Sequence, residues 1–372
     1  MSKTLTEIAQ QLKDSGKKVQ LIYAFNGTGK TRLSRAFKEL LSPKNDDDEI
    51  TELSELATKK ILYYSAFTED LFYWDNDLGL DAEPKLKIQP NSFTKWVLED
   101  QGQDQSIATT FQRYTNDKLT PHFSTDFSSV SFSFERGNNQ QEAHIKISKG
   151  EESNFIWSIF NSLLEQVISE LNIAEKADRS TDVFNNLSYV FVDDPVSSLD
   201  DNHLIELAVN LANLIKSSVS ELKFIITTHN PLFYNVLFNE LNSKTCYMLE
   251  RFEDGNFALT EKHGDSNKSF SYHLYLKQTL EKAIAENTVQ KYHFTLLRNL
   301  YEKTASFLGY PKWSELLPDD KQAYLNRIIQ FTSHSTLSNE VVAEPSGPEK
   351  NTVVFLLNHL VSNYGFWQEK TT

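Results

Sequence analysis

The chain has 372 residues, with 51 acidic against 37 basic side chains and a formal net charge of −14 at pH 7. Its content of 39% hydrophobic and 12% aromatic residues is typical of a folded protein and excludes a disordered chain. So acidic a protein is unsuited to coating nucleic acid nonspecifically, because phosphate binding is driven by positive charge.

The distribution of charge, the single cysteine and the N-terminal segment indicate where the protein functions and what it can bind. Residues 271–372 carry ten Lys+Arg and ten Asp+Glu, so the acidic excess lies in the first 270 residues and a local RNA site in the C-terminal part stays open. A single cysteine, Cys246, excludes disulfides and cysteine zinc sites. The N-terminus has the pattern of an amphipathic helix, without a signal peptide, and no apolar run is long enough to span a membrane. We therefore expect a soluble cytoplasmic protein without membrane contact.

The first chemical motif is Ala-Phe-Asn-Gly-Thr-Gly-Lys-Thr at residues 24–31, between an apolar strand and an apolar-periodic helix. This order predicts a P-loop, in which backbone N–H groups and the positive end of the helix bind phosphate. Lys30 would reach the β- and γ-phosphates, and Thr31 would bind Mg²⁺. Ala24 stands where the first glycine is expected, and the alternative is an ordinary turn before a helix. The predicted nucleotide-binding residues here are Asn26, Gly27, Thr28, Gly29, Lys30 and Thr31.

The next part of the chain predicts mixed structure. Residues 60–67 have the pattern of a buried strand, and residues 92–116 that of a helix. Gln89 is a candidate for the glutamine that senses the γ-phosphate and Mg²⁺ in ABC-type ATPases, although such a glutamine is often only part of a loop. Residues 130–135 alternate and return through 143–147, which predicts an antiparallel hairpin.

A second nucleotide motif follows the hairpin. The segment Ile-Ser-Lys-Gly-Glu-Glu-Ser begins at Ile147, precedes a long apolar-periodic helix, and resembles the ABC signature in its SMC form, L-S-x-G-E. Ser148 and the Gly150 amide would lie at the helix N-terminus, which suits a γ-phosphate, and Glu151 belongs to the same motif. The alternative interpretation is a capping box, in which Ser148 caps the helix and Glu151 reaches back.

Two consecutive carboxylates follow a buried strand. The apolar run at residues 189–192 ends at Asp193, which would hold Mg²⁺ through water together with Thr31. Asp194 is placed to polarise the attacking water. The usual residue at this position is glutamate, one methylene longer, so we expect slow hydrolysis in which bound nucleotide holds a state.

The last ATPase motifs complete the pattern. A D-loop is predicted to end at Asp200, and a further buried strand ends at His229, a candidate contact of the γ-phosphate. Four motifs in this order predict an ABC-type P-loop ATPase domain of the α/β class, with an antiparallel β subdomain, over residues 1–265. Without a long heptad stretch or a C-x-x-C hook, a DNA clamp is excluded.

From residue 266 to 372 the pattern is helical, with segments near 270–288, 290–308, 318–331 and 350–364. Arg298 and Glu302 lie one turn apart on one helix face, and His334 follows in a later segment. The default interpretation is a surface salt bridge and an ordinary loop histidine.

The chain resembles the PrrC-type anticodon nucleases over nearly its whole length. The likeness includes the P-loop, residues 67–76, the signature and the stretch from Asp193, and is most specific in Arg-Asn-Leu-Tyr-Glu-Lys-Thr-Ala-Ser-Phe-Leu-Gly-Tyr-Pro from Arg298. In that family an ABC-type switch controls a C-terminal ribonuclease with an Arg–Glu–His triad, which the resemblance places on Arg298, Glu302 and His334. The related RloC type carries a coiled-coil zinc hook, which is absent from this sequence.

The resemblance implies a substrate and a mode of regulation. It implies cleavage of tRNA-Lys 5′ to the wobble nucleotide, binding of ATP or GTP with Mg²⁺, dTTP as a regulatory nucleotide, and silencing by a type I restriction-modification complex until a phage disables it. Asp265 lies in a segment similar to one linked with anticodon recognition, where it would contact the cationic wobble uridine. A simple turn aspartate beside glycine is the alternative.

The triad fits RNA cleavage without a metal. In this chemistry the ribose 2′-OH attacks, which leaves a 2′,3′-cyclic phosphate and a 5′-OH and requires a base, an acid and a cation. Histidine titrates near neutrality, glutamate can serve as the second proton carrier, and arginine grips phosphate through two hydrogen bonds. Which of Glu302 and His334 is the base stays open.

One P-loop and one signature per chain predict assembly. An ABC site is completed by the signature of a second copy, so we expect a head-to-tail homodimer, or a higher homo-oligomer, with Ser148 of one chain facing Lys30 of the other. Two other functions stay open: an ABC-type sensor or scaffold that activates a separate defence effector, and a RecF-like DNA-repair ATPase.

Overall fold

The computed structural model describes residues 2–42, 60–65, 68, 70–76, 83–136, 140–195, 201–242, 245–252, 254–263, 272–332 and 345–366. The chain divides into two compact units, Met1–Gly264 and Asp265–Thr372. Within the described residues, no helix combines the length and the apolar character needed to cross a membrane.

The first unit combines helices with two sheets. Its helices are α1 (Leu5–Asp14), α2 (Lys30–Leu41), α3 (Ser92–Lys95, continued by a π-helical turn at Trp96–Asp100), α4 (Asp104–Tyr114), α5 (Lys149–Asn172), α6 (Asp201–Ser217) and α7 (Pro231–Glu240). Its strands are β1 (Val19–Tyr23), β2 (Ile61–Tyr64), β3 (Phe72–Asp75), β4 (Lys85–Ile88), β5 (Leu119–Phe123), β6 (Ser129–Arg136), β7 (Gln140–Glu142), β8 (Tyr189–Asp193), β9 (Lys223–Thr228), β10 (Thr245–Arg251) and β11 (Phe257–His263). A 3₁₀ turn at Lys176–Asp178 precedes β8.

The larger sheet has the strand order β11-β10-β1-β9-β8-β2. Strands β10, β1, β9, β8 and β2 pair in parallel, and β11 pairs antiparallel with β10. Parallel strands covered on both faces read as continuous apolar runs, which is why β1, β8 and β9 were recognisable in the sequence. The register places Tyr23 beside Thr228 and Asp193 beside Thr227, so three motif-bearing strands end at one edge.

The smaller sheet has the order β3-β4-β6-β5, with β7 also beside β6, and its pairs are antiparallel. The predicted hairpin is present, but its return strand is Gln140–Glu142 and not 143–147. His144 has a left-handed φ of 55°, which ends the ladder, although Ile145 still donates its N–H to Phe132 O at 3.0 Å.

Helix α5 carries apolar side chains that contact both sheets. Trp157 meets Tyr64 of the parallel sheet edge-to-face, with ring centroids 5.0 Å apart. Phe155 meets Phe132 of the antiparallel sheet in the same geometry, at 5.2 Å. Such aromatic pairs stabilise beyond their buried area, so this helix fixes the two sheets against each other.

The second unit is helical, with α8 (Tyr272–Ala285), α9 (Lys291–Leu308), a 3₁₀ turn at Trp313–Leu316, α10 (Lys321–Thr332) and α11 (Gly347–Asn363). These four helices match the predicted segments, whereas the 3₁₀ turn was not predicted. Their core includes Leu276, Leu297, Leu300, Tyr301, Leu316, Ile328, Leu356 and Leu360. The predicted fold class is therefore confirmed in its architecture: an α/β domain with an antiparallel β subdomain, followed by a mainly helical domain.

We expect Tyr301→Phe to lower the stability of the second unit by about 1 kcal/mol, the usual net value of a buried hydrogen bond. The Tyr301 hydroxyl is buried and donates to Leu356 O at 2.9 Å, and burial followed by the nearby Tyr364 raises the pKa of Tyr301 above its ordinary value. Urea denaturation followed by hydrogen exchange of α9 and α11 measures the loss. Tyr310→Phe, at a position that is 41% exposed, is the matched control and should change little. Equal stability of the two variants would contradict the prediction.

Candidate functional site

The turn between β1 and α2 has the backbone of a phosphate-binding loop. Gly27 and Gly29 have φ values of 79° and 114°, in the region that favours glycine. A Cβ on Gly29 would also lie 3.2 Å from the ring of Phe257. Ala24, by contrast, is buried without a left-handed backbone and donates its N–H to Thr228 O at 3.0 Å, so alanine fits where the first glycine was expected.

Lys30 begins α2 and is only 7% exposed. Its ammonium group donates to the carbonyl oxygens of Ala24 and Phe25, at 3.3 and 3.4 Å, and to Asn26 Oδ1 at 3.2 Å. It also forms an ion pair with Asp194 Oδ2 at 3.3 Å. A buried ammonium group is costly unless it is paired, so these contacts hold the charge at the loop.

The two predicted Mg²⁺ ligands are brought together. Asp193 is 2% exposed at the end of β8 and accepts a hydrogen bond from Thr227 Oγ1 at 2.5 Å. Burial raises the pKa of Asp193 above its ordinary value, and hydrogen bonds from Thr227 and Thr31 oppose that rise. Thr31 and Asp193 therefore offer a hydroxyl and a carboxylate to one point, which are oxygen ligands that Mg²⁺ accepts.

Asp194 adopts a left-handed φ of 52°, rare for a residue other than glycine, and its N–H donates to Thr227 O at 2.9 Å. Its carboxylate lies 2.6 and 2.8 Å from His229 Nδ1 through its two oxygens. Burial alone would raise the pKa of Asp194, but hydrogen bonding to His229 and the charge of Lys30 outweigh burial and keep that pKa below its ordinary value. The carboxylate predicted to polarise water is thus held between two cationic or hydrogen-bonding partners.

The loop, the acidic pair and His229 form a site that fits a nucleotide with Mg²⁺. The loop supplies glycine backbone and a buried lysine for phosphate, and Thr31 with Asp193 supplies oxygen ligands for the metal. When bound, the metal would neutralise phosphate charge and polarise the terminal phosphate. Lys30 would orient the phosphates, and Asp194 and His229 lie beside it.

Gln89 is exposed, just after β4, in the antiparallel subdomain. Its N–H donates to Leu71 O at 2.8 Å and its carbonyl accepts from Asn91 Nδ2 at 2.7 Å. Together with residues such as Asp126 it lines an open cavity of about 260 Å³. Among the described contacts, none joins Gln89 to Lys30, so its γ-phosphate role stays a prediction.

The signature begins α5 with a capping box. Ser148 is the N-cap residue, its Oγ accepts from Glu151 N at 3.3 Å, and Glu151 Oε2 accepts from Ser148 N at 2.7 Å. The capping box that the sequence also predicts is therefore present. The cap and a phosphate-binding role are compatible, because the helix N-terminus that holds Gly150 keeps its positive dipole end.

In the second unit, Arg298 and Glu302 of α9 form the predicted pair. Arg298 Nε lies 2.8 Å from Glu302 Oε1, and both side chains are 37% exposed. The guanidinium carbon also lies 5.9 Å from the ring centroid of Trp313, within the range of a cation–π contact. Sequence reasoning missed Trp313, which belongs to a 3₁₀ turn with no periodic signal. The remaining candidates, Asp200, Asp265 and His334, lie outside the described residues.

The chain is similar to known proteins in sequence and, more weakly, in structure. No family model matches it. Among solved structures, an SMC head bound to the C-winged helix domain of ScpA has a TM-score of 0.35 at 10% identity, covering 68% of this chain and 92% of that one. An ATP-binding cassette of an ABC transporter in its ADP conformation has a TM-score of 0.31 at 14% identity, covering 67% and 81%.

The sequence relative is much nearer. A curated anticodon nuclease of Escherichia coli is 69% identical over 392 residues, a span that covers 100% of this chain and 99% of the relative. Identity of this level over the full length shows common family, so the chain belongs to the anticodon nuclease family.

Proposed function

We propose that this protein is a nucleotide-regulated endoribonuclease that cuts tRNA-Lys in the anticodon loop, 5′ to the wobble nucleotide. The observation that carries the proposal is the Arg298–Glu302 pair, with 2.8 Å between Nε and Oε1 on a half-exposed helix face. The name of the E. coli relative supports tRNA as the substrate class. An arginine beside a carboxylate at a face open to solvent suits the grip and proton transfer that phosphate cleavage needs.

The proposed chemistry needs no metal at the cleavage step. The ribose 2′-OH loses its proton to a base, its oxygen attacks phosphorus, and the bond to the 5′-oxygen breaks as an acid protonates that oxygen. Arg298 would stabilise the negative charge on the phosphorane, and Glu302 and His334 would exchange the protons. The part given to His334 rests on the family resemblance.

The first unit is the proposed regulatory domain. ATP or GTP with Mg²⁺ would bind at Lys30 and Asp193, and dTTP would act as a further regulatory nucleotide. Since Asp194 is shorter than glutamate and is held by His229 and Lys30, slow hydrolysis is the expected behaviour. A type I restriction-modification complex would keep the nuclease inactive until a phage disables that complex. Because the substrate of the nuclease would be tRNA, we expect the activity in the cytoplasm.

A sensor or scaffold that activates a separate effector is the second candidate. The observation in its favour is that Lys277 and Glu281 form an ion pair with the same i,i+4 spacing, at 2.7 Å, without any proposed chemistry. Incubation of the purified protein with total tRNA, followed by mapping of the cut ends, separates the two: a scaffold leaves tRNA intact.

Alanine at Glu302 or His334 should each lower the cleavage rate on the order of a hundred- to ten-thousand-fold, as loss of a general acid or base does. Alanine at Arg298 should lower it on the order of a hundred- to a thousand-fold, as loss of a group that stabilises developing charge does. Losses within one catalytic unit are non-additive, so the triple variant should be scarcely worse than the worst single variant. Rates on a tRNA anticodon stem-loop measure the effect. Glu281→Ala breaks an i,i+4 pair in the same unit and serves as the matched control. A control as inactive as Glu302→Ala would point to lost folding.

Cleavage should persist in EDTA once the switch is on, and the products should end in 2′,3′-cyclic phosphate and 5′-OH, since the attacking oxygen is the ribose 2′-OH. The cleavage rate measured in EDTA checks the first expectation, and end-group analysis of the cut RNA checks the second. Products with 5′-phosphate and 3′-OH ends would indicate a metal-dependent nuclease and remove all three residues from their roles.

Lys30→Ala should abolish nucleotide binding and silence the nuclease, because it removes the buried cation that orients phosphate. Asp194→Asn should bind nucleotide and retain it, because it removes the carboxylate beside the reacting centre. Fluorescent-nucleotide binding and tRNA cleavage are the measurements. Lys216→Ala, which breaks an exposed ion pair with Glu240 at 2.9 Å, is the control lysine variant. Unchanged cleavage in Lys30→Ala and Asp194→Asn alike would exclude the nucleotide domain as regulator.

The composite site predicts complementation between two inactive variants. Ser148→Asp keeps a good N-cap residue for α5 but places a negative charge where the γ-phosphate of a second copy would bind. Mixing it with Lys30→Ala should restore nucleotide hydrolysis, because the mixed dimer contains one intact site. Sedimentation of the unmodified protein with nucleotide and Mg²⁺ should show a dimer. If the unmodified protein stays monomeric and still hydrolyses nucleotide, the composite site is contradicted.

A further inference from the structure

A buried carboxylate lies in the first turn of the signature helix α5. Glu152 is 3% exposed, and each of its two carboxylate oxygens has a named donor. Lys149 Nζ lies 2.5 Å from Oε1, and Trp74 Nε1 donates to Oε2 at 2.9 Å. The lysine is largely exposed, whereas the indole comes from β3 of the antiparallel sheet, 78 residues away in sequence.

The position of Trp74 is itself fixed. Its ring centroid lies 6.1 Å from that of Phe132 on β6, and Lys146 Nζ lies over its face at 5.5 Å. Phe132 in turn packs against Phe155 of α5. The indole therefore contacts Phe132 and Lys146 besides donating to Glu152, and these contacts restrict the direction of its N–H.

Glu152 is directly coupled to the signature. Its N–H donates to Ser148 O at 2.9 Å, so the anchored residue lies one helical turn after the N-cap. Any rotation or shift of this turn that breaks the contact with Trp74 leaves Glu152 Oε2 without its donor in a buried position, which is costly. The contact therefore restricts the orientation of the turn that holds Ser148 and Gly150.

We propose that Trp74 and Glu152 are positioning residues, which hold the turn from Ser148 to Glu151 in the orientation needed to bind the nucleotide γ-phosphate of a second copy of this chain. The proposal rests on the composite nucleotide site proposed above and names the residues that orient its signature half. Neither side chain touches the phosphate; both act through the backbone of the first turn of α5.

Stability alone does not account for this carboxylate. Helix α5 is already held by apolar rings, including Trp157, Phe155 and Phe160, which are fully buried. An apolar residue at position 152 would avoid the desolvation of a buried charge, and such replacements are often neutral or stabilising. The hydrogen bond from Trp74 to Glu152 is directional and lies in the first turn of α5. It therefore fixes the orientation of that turn more strictly than apolar packing does.

The test compares a tryptophan whose indole N–H has a hydrogen-bond acceptor with one whose indole N–H has none in the described part of the chain. Trp74→Phe keeps an aromatic ring but removes the donor to Glu152. Trp157→Phe removes an indole N–H that is buried and has no hydrogen-bond partner among the described residues. Both variants are examined as the full chain with ATP and Mg²⁺, by fluorescent-nucleotide binding, sedimentation and hydrolysis rate.

Trp74→Phe should bind nucleotide within about twofold of the parent, because the P-loop is intact, yet lose nucleotide-driven association and at least about tenfold of hydrolysis, as P-loop and signature are then misaligned. Trp157→Phe should match the parent in each measurement. A simple loss of folding would lower nucleotide binding as well, so the split between binding and hydrolysis identifies a positioning role.

A second variant keeps the inference testable if Trp74→Phe unfolds. Glu152→Met removes the acceptor of the indole N–H while keeping a similar volume, and should show the same split. The double variant Trp74→Phe/Glu152→Met should be no worse than the worse single one, since both act through one contact. Association and hydrolysis within twofold of the parent in Trp74→Phe and Glu152→Met would overturn the inference alone. A parent protein that binds nucleotide but neither associates nor hydrolyses it would overturn the composite site as well.

Discussion

The contact among Lys30, Asp194 and His229 is the interaction on which the proposed nucleotide site depends, and it exists because β1, β9 and β8 are adjacent and parallel. The register places Asp193 beside Thr227 and Tyr23 beside Thr228, so the residues that follow each strand meet at one edge. There Asp194 pairs with Lys30 at 3.3 Å and with His229 at 2.6 Å, which neutralises charge that burial would otherwise penalise. A phosphate bound at Lys30 would compete with Asp194 for the ammonium group, so nucleotide binding would change the contacts of Asp194 and His229.

Helix α5 connects the parallel sheet to the antiparallel subdomain through side-chain contacts with both. It contacts Tyr64 of the parallel sheet through Trp157 and Phe132 of the antiparallel sheet through Phe155, while Glu152 contacts Trp74. The apolar rings set the position of the helix, and the polar contact sets the direction of its first turn. Two kinds of interaction therefore act on this helix. Apolar packing stabilises it, and the hydrogen bond from Trp74 to Glu152 orients the first turn, which contains the signature segment.

The parts of the site predicted from sequence are those tied to strand ends. Apolar runs locate β1, β8 and β9, and the residue after each run is then placed without tertiary knowledge, as for Asp193 and His229. What could not be predicted depends on geometry between distant segments. The β5 strand contains Pro121 and His122 in place of a clean alternation, and the left-handed φ of His144 shortens the hairpin. The link from Trp74 to Glu152 spans 78 residues and has no sequence period.

The second unit shows how little spacing says about chemistry. Arg298–Glu302 and Lys277–Glu281 have the same i,i+4 spacing and similar lengths, 2.8 and 2.7 Å. They differ in surroundings: the Arg298 side chain is 37% exposed, against 14% for Lys277, and it lies near the ring of Trp313. A planar guanidinium that contacts a carboxylate and an aromatic ring has fewer accessible orientations, whereas the lysine ammonium interacts with its carboxylate as a compact point charge. The restricted orientation of the guanidinium, and not the ion pair itself, distinguishes Arg298–Glu302, which is proposed to act on RNA, from Lys277–Glu281, which has no proposed role.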